Sequence, residues 1–247
     1  MHSQSQLSKI VVATHIEPPL VYQLVDGSFH GSNVEVAKLL AESLNLEVEF
    51  VYCPFARCLY QTQTGQADMM VGINYTEQRA QFFSYLAQPY SSLITPVKFY
   101  LNKNRPAEIN KYEDLVDKKI GVLRGAVYFQ PFDNDPRLAK VPVVDHEQLI
   151  ALLRAGRIDT FLARDLSIRQ RINQVEYSEL LDVAEFSFTK RQDLFIAISK
   201  KSPLSFFQQS LSSTLLQLKQ QGNIEKIMAK YCLSSQDQIP HANHQDN

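Results

Sequence analysis

The sequence predicts an α/β fold of two lobes, each a mainly parallel sheet flanked by helices, joined by two hinge crossings. Three observations point there. Short β-branched strands alternate with helical stripes, and helices between strands imply parallel pairing. The scheme occurs twice: KIVVATH from Lys9 is echoed by KKIGVLRG from Lys118, and TGQADMMVG from Thr64 by AGRIDTFLA from Ala155. Two extended runs, TPVKFYLNKNRP between the units and LFIAISKK after the second, supply one strand going out and one coming back.

In the first unit a strand over 9–14 is followed by a loop over 15–32, a helix over 33–45 and a strand over 47–52. Val34, Val36, Ala37, Leu40, Ala41 and Leu44 form the apolar stripe of that helix, with Ser32 or Asn33 as its cap. Phe55 to Thr64 reads as a further helix closed by Gly65. In the second unit strands are expected over 119–123, 140–144 and 158–163, with helices over 125–132, 146–155 and 165–173. Pro203 to Cys232 reads as helix broken at Gly222, and from Leu233 a polar, disordered tail carries His241 and His244. The lobes are then 1–98 with 194–247, and 99–193.

Composition narrows the function. A chain of 247 residues, 45% hydrophobic and 21% charged, is long enough to bury real cores. A formal net charge of -1 gives no bulk attraction to nucleic acid or an acidic membrane, so neither is an expected partner. No apolar run approaches the roughly 20 residues that span a bilayer. Cys53, Cys58 and Cys232 read as small apolar fillers, with a Cys53–Cys58 bridge across the intervening turn as the alternative. No His or Cys spacing suits zinc, and neither a metal nor a cofactor is expected.

Open α/β sheets bind ligands beyond the carboxyl ends of their strands. Residues 15–22 follow the first strand, Ile73 to Thr76 follow MMVG, Arg124 to Tyr128 follow IGVL, and Arg164 and Asp165 follow TFLA. If the lobes face each other, these loops converge on one cleft. Arg79 lies about one turn into the helix that Thr76 would cap. There it could grip a carboxylate with a planar two-pronged contact, or pair with Glu77 or solvent.

The stretch from His30 to Tyr90 resembles the first lobe of the bacterial extracellular solute-binding proteins, family 3, the polar amino-acid-binding components of ABC importers, with a type II periplasmic binding protein fold. The matching features are the helix from Asn33 to Lys38, Phe55 after the second strand, and the Gly65 to Asp68 element. Thr76 with Arg79 and Pro89 with Tyr90 complete the series. KIGVLRG and AGRIDTFLARD resemble second-lobe signatures, so the similarity covers roughly residues 8–232. The resemblance implies a hinge-closing protein outside the cytoplasmic membrane, with its signal peptide already removed. It implies a monomer that captures a small-molecule ligand, an amino acid or organic anion, for a permease partner. Arg79 would grip the ligand α-carboxylate, assisted by Gly72, Asn74 and the amides of Ala126 and Val127. Tyr22 and Phe55 would sandwich the ligand side chain.

One position departs from the family. Its amino-acid binders place an acid for the ligand ammonium five residues after the Gly-x-x-Asp aspartate. Here that position is Arg164, and the acid follows at Asp165. Either Asp165 substitutes through a shifted loop, or the ligand is not a standard α-amino acid. Arg57, Arg124 and Arg164 beside Arg79 favour a ligand with more than one carboxylate, and each has rim charge as its plainer reading. Glu17 could meet a ligand cation or be a loop residue beside Pro18 and Pro19. Two other classes compete with the binding protein: the sensing module of a membrane signalling protein, and a cyclohexadienyl dehydratase-like enzyme using His15, Glu17 and Asp165, for which nothing in the sequence assembles a dyad or triad.

Overall fold

A computed structural model describes residues 7–172 and 175–233. The chain divides into two compact units. One takes the chain up to Cys53, Arg57–Ser92 and the chain from Asp193 onward; the other takes Pro54–Ala56 and Leu93–Gln192. The chain passes between them at Ser92/Leu93 and Gln192/Asp193, against 98/99 and 193/194 in the sequence reading.

Unit 1 begins with β1 (Lys9–Thr14), a small hairpin of β2 (Tyr22–Gln23) and β3 (Phe29–His30), and α1 (Ser32–Glu42). β4 (Glu47–Tyr52), α2 (Phe55–Thr64), β5 (Met69–Ile73), α3 (Glu77–Ala80) and β6 (Phe83–Tyr85) follow. The long strand β7 (Ser91–Asn102) carries the chain into unit 2. There lie β8 (Lys119–Leu123), β9 (Ala139–Val143), α4 (His146–Arg154), β10 (Thr160–Arg164), α5 (Asp165–Ile172) and α6 (Val175–Ser178). β11 (Leu181–Ser199) leads back, and α7 (Gln208–Gln220), α8 (Asn223–Met228) and a π-helical turn at Ala229–Leu233 follow.

Both units use one strand order. In unit 1, β4, β1 and β5 are parallel neighbours in that order, and β11 runs antiparallel beside β5. In unit 2, β9, β8 and β10 are parallel in that order, and β7 runs antiparallel beside β10. Each is a 2-1-3 arrangement, so the chain reverses its winding between the first and third strands. The fold class read from the sequence is the one observed. β5 is buried at all five residues, as a central strand covered on both faces must be. In unit 2 the period-2 alternation sorts two cores: Val97, Phe99, Leu101 and Leu162 point to one, Tyr100, Phe161 and Ala163 to the other.

Four sequence expectations need correction. α1 has its N-cap at Gly31, with φ of 123° and no side-chain cap; Ser32 is already helical, and Asn33 turns inward instead. The loop over 15–32 contains the β2–β3 hairpin. Residues 125–132 are not a helix. The Tyr128 N–H donates to the Asp133 carboxylate (3.0 and 3.1 Å), and the Tyr128 hydroxyl accepts the Leu123 N–H (2.9 Å). These side chains take the role of intrahelical partners, leaving only a 3₁₀ turn at Phe132–Asn134. Finally, Cys53 and Cys58 are bridged, closing the turn between β4 and α2. The polar tail with His241 and His244 lies outside the described residues.

Candidate functional site

In a 2-1-3 sheet the ligand crevice opens at the carboxyl ends of the first and third strands. In unit 1 those are the ends of β1 and β5. Beyond β5 the chain continues Asn74, Tyr75, Thr76, and Thr76 starts α3 in extended conformation with its hydroxyl accepting the Arg79 N–H at 3.1 Å. The predicted cap is thus formed, and it fixes Arg79 one turn into the helix. Arg79 is only 9% exposed. Its Nη1 donates to the Asn74 carbonyl at 3.0 Å, and the Tyr85 hydroxyl donates to the same oxygen at 3.3 Å. Asn74 is itself tied to unit 1's other crossing strand, its Nδ2 donating to the Asp193 carbonyl at 3.3 Å.

Tyr85, which shares the Asn74 carbonyl with Arg79, belongs to a cluster of aromatic rings that sequence reasoning did not gather. Tyr75, Tyr85 and Phe195 lie within 5.1 to 6.3 Å of one another. Burial pushes the Tyr85 phenol up to about 12, with the Arg79 guanidinium pulling the other way. Tyr85 therefore remains a neutral donor at physiological pH. Gly72 sits in β5 with φ of 89°, and a Cβ there would meet Asn33 Nδ2 at 2.3 Å. Asn33 uses that nitrogen to reach the Val71 carbonyl (3.2 Å) and accepts from the Tyr90 hydroxyl (2.5 Å). Gly72 is required by this packing, whatever else it does.

At the end of β1, His15 Nε2 and Glu17 Oε2 are 2.9 Å apart, both largely buried. The sequence showed no dyad there; the turn through Pro18 and Pro19 brings the two together, with Glu17 and Val21 exchanging backbone hydrogen bonds. Tyr22 stacks on His30 (5.8 Å) and lies 6.5 Å from Tyr231. Phe55 is half-buried at the start of α2, inside the turn closed by the Cys53–Cys58 bridge.

In unit 2 the equivalent loops follow β8 and β10. Arg124 is exposed and its N–H donates to the Val143 carbonyl at 2.8 Å. Ala126 and Val127 are half-buried, and the Ala126 N–H donates to the Leu123 carbonyl at 3.1 Å. That amide is thus engaged within the loop. Arg164 ends β10, half-buried, and Asp165 opens α5 at 7% exposure. Asp165 pairs with Lys98 at 2.8 Å, a residue absent from the sequence-based site. The signal was available: Lys98 is the lone charge in the apolar strand LITPVKFYL. Among the described residues no group of three His, Cys, Asp or Glu could hold a metal ion, and no helix is long and apolar enough to cross a membrane.

Similarity to known proteins agrees with this architecture. The L-cystine-binding protein TcyJ of Escherichia coli (strain K12) is 22% identical over 216 residues, 87% of this chain and 78% of that protein. The amino acid ABC transporter substrate-binding protein AbpA of Streptococcus pneumoniae, solved bound to L-arginine, superposes with a TM-score of 0.75 at 24% identity, covering 94% of this chain and 97% of its own. An ancestral amino-acid-binding protein, a precursor of cyclohexadienyl dehydratase, superposes at 0.71 and 21% identity over 91% and 95% of the two chains. At such identities the solved structures establish the fold, which extends across nearly the whole chain. The sequence itself matches the model of the bacterial extracellular solute-binding proteins, family 3, over residues 10–127, from β1 through the loop after β8.

Proposed function

We propose that this protein is an extracytoplasmic solute-binding protein that captures a small carboxylate-bearing ligand, an amino acid or related anion, for ABC import. A solute-binding role accords with its family and its relatives; the ligand, the import and the location are the proposal. The observation that carries it is Arg79: a nearly buried guanidinium beyond β5, steadied by the Asn74 carbonyl and by the Thr76 cap. A guanidinium held this way has lost its rotamer freedom before the ligand arrives, which favours a bidentate grip on carboxylate.

Asn74, Gly72, Thr76, Tyr22, Phe55 and Glu17 would complete the ligand contacts of unit 1. Arg124, Ala126, Val127, Arg164 and Asp165 would supply those of unit 2. Hinge motion where β7 and β11 cross from unit to unit would commit the ligand. The protein would act as a monomer that delivers to a membrane permease.

Thermal unfolding against a panel of amino acids, dicarboxylates and inorganic anions tests this reading. A probe at a hundred times its dissociation constant stabilises the native state by about 2.7 kcal/mol. A shift with a carboxylate, lost in Arg79→Ala, is the expected result; no shift with any carboxylate would remove the proposal. The His15–Glu17 pair is an arrangement that an enzyme could use for acid–base work. Turnover abolished by His15→Gln, with binding retained, would favour that second reading.

A further inference from the structure

Lys98 is the charged group that the binding reading does not use. It lies on β7 opposite Ala163 of β10, in the antiparallel pairing that sets β7 alongside the carboxyl end of β10. From there its ammonium reaches Asp165 at 2.8 Å, and the aspartate side chain is 10% exposed. The carboxylate that the binding reading would offer to a ligand ammonium is therefore already matched by a cation of the protein itself. The same edge of unit 2 also carries Arg124 and Arg164. Glu17, the other acid among the candidate contacts, lies 2.9 Å from the His15 ring.

A ligand ammonium brought to Asp165 would sit beside Lys98 or have to displace it. Both are unfavourable: the first sets like charges together, and the second strands a cation with its partner removed. A ligand with a hydrogen, hydroxyl or oxo group at that position meets neither obstacle, and a second carboxylate there would meet a basic edge. We infer that the Lys98–Asp165 pair is a specificity device that rejects a free α-ammonium, so that the ligand is an organic acid or dicarboxylate and not a free amino acid. This rests on the carboxylate-binding reading above and names the ligand class within it. The plainer alternative is that the pair only ties β7 to α5.

Matched probes separate the two. Succinate with aspartate, glutarate with glutamate, and lactate with alanine each differ by the α-substituent alone. Calorimetry on the parent protein should show the ammonium-free member of a pair binding at least about tenfold more tightly. Lys98→Met should shift that ratio about tenfold or more toward the amino-acid member, because the cation that opposes a ligand ammonium is then gone. Should Lys98→Met fail to fold, the double variant Lys98→Met with Asp165→Asn removes both charges, and the preference should shrink toward parity. The inference is overturned if the parent binds the amino-acid members as tightly or more tightly. An unchanged ratio in the folded variants overturns it as well, and leaves the pair as a tie between β7 and α5. If the parent binds neither member of any pair, the carboxylate-binding reading itself fails and takes the inference with it. Arg79→Ala should weaken both members of a pair alike, which marks the grip as distinct from the discrimination.

Discussion

Asp68 and Asp159 do the same work in the two units. Each precedes the third strand of its sheet, and each carboxylate accepts a backbone N–H of the first strand at 2.7 Å, from Val11 in unit 1 and Lys119 in unit 2. Each returns its own N–H to that residue's carbonyl, at 2.8 and 2.9 Å. A left-handed glycine, Gly65 or Gly156, stands three residues earlier to turn the chain out of the preceding helix. At the far ends of the same strands the likeness stops. Unit 1 places a nearly buried arginine there, anchored on the Asn74 carbonyl that the Tyr85 hydroxyl shares. Unit 2 places a buried aspartate already paired with a lysine. The repeated pattern is scaffold, and the two copies diverge in the charged groups at the loops beyond it.

The largest expected effect tests that divergence directly. Arg79→Ala should cost roughly 2–5 kcal/mol of affinity for whichever carboxylate the thermal screen identifies, the loss of a charge-assisted contact in a desolvated setting. Arg124→Ala, an exposed cation at the end of β8, should cost about 1 kcal/mol or less. Calorimetry on both variants checks it. Equal losses would show that unit 2 grips the ligand as unit 1 does, and the contrast drawn here would fall.

The shared scaffold can be broken unequally too. Asp68 carries an extra partner: the Ser202 hydroxyl donates to its second oxygen at 2.5 Å and so ties the start of the last helical stretch to the sheet. Asp159 is exposed. Asp68→Ala should therefore cost about 2–3 kcal/mol of stability, because it leaves the buried Ser202 O–H and the Val11 N–H within β1 without their acceptor, and Asp159→Ala about 1 kcal/mol. Chemical denaturation of the two variants is the measurement. A third contrast is covalent, since every cysteine of the chain lies in unit 1 or at its Cys53 boundary. Reduction of the Cys53–Cys58 bridge, whose loop is short, should cost unit 1 about 2 kcal/mol by chain entropy. Hydrogen exchange with and without reductant should show faster exchange in unit 1 and no change in Leu93–Gln192 of unit 2, the Pro54–Ala56 piece lying inside the bridged loop.

Much of this was legible in the sequence, and the rest was not for definite reasons. The paired units, the strands and the Thr76 cap of Arg79 follow from local pattern: period, β-branching, a hydroxyl three residues before a buried arginine. What local pattern does not reveal is where a side chain ends up. Residues 125–132 have a helical run of apolar residues, but the Asp133 carboxylate and the Tyr128 hydroxyl capture the backbone N–H groups first. Cys53 and Cys58 could be fillers or a bridge until the turn through Pro54 sets their separation. The Lys98–Asp165 pair joins residues 67 apart in the chain (165 − 98), and only the register of β7 against β10 brings them together. The ring cluster of Tyr75, Tyr85 and Phe195 likewise depends on the antiparallel return of β11 beside β5 and β6.

The smallest expected effect concerns acid. Burial works to raise the Glu35 carboxyl on α1, but hydrogen bonds from Lys230 and Tyr231 outweigh it and hold it below the usual glutamate value of 4.5. In unit 2, hydrogen bonds from the Arg137 side chain and N–H hold Asp135 far below the usual aspartate value of 3.8, with the Tyr112 hydroxyl adding to them. Both groups are depressed in the folded state. Each therefore contributes stability that is present above its unfolded value and is lost as pH falls through its folded one. The Glu35 contact should loosen first, from about 4.5 downward, and the Asp135 contact only in much stronger acid. For Glu35, about one-third exposed with Lys230 more so, solvent screening limits the loss to about 1 kcal/mol at most. Carboxyl carbon resonances followed by NMR from pH 6 to 2 report each group separately. Midpoints in the reverse order would mean that the chain after α8 is fastened to α1 more firmly than the Asp135 turn is to Arg137.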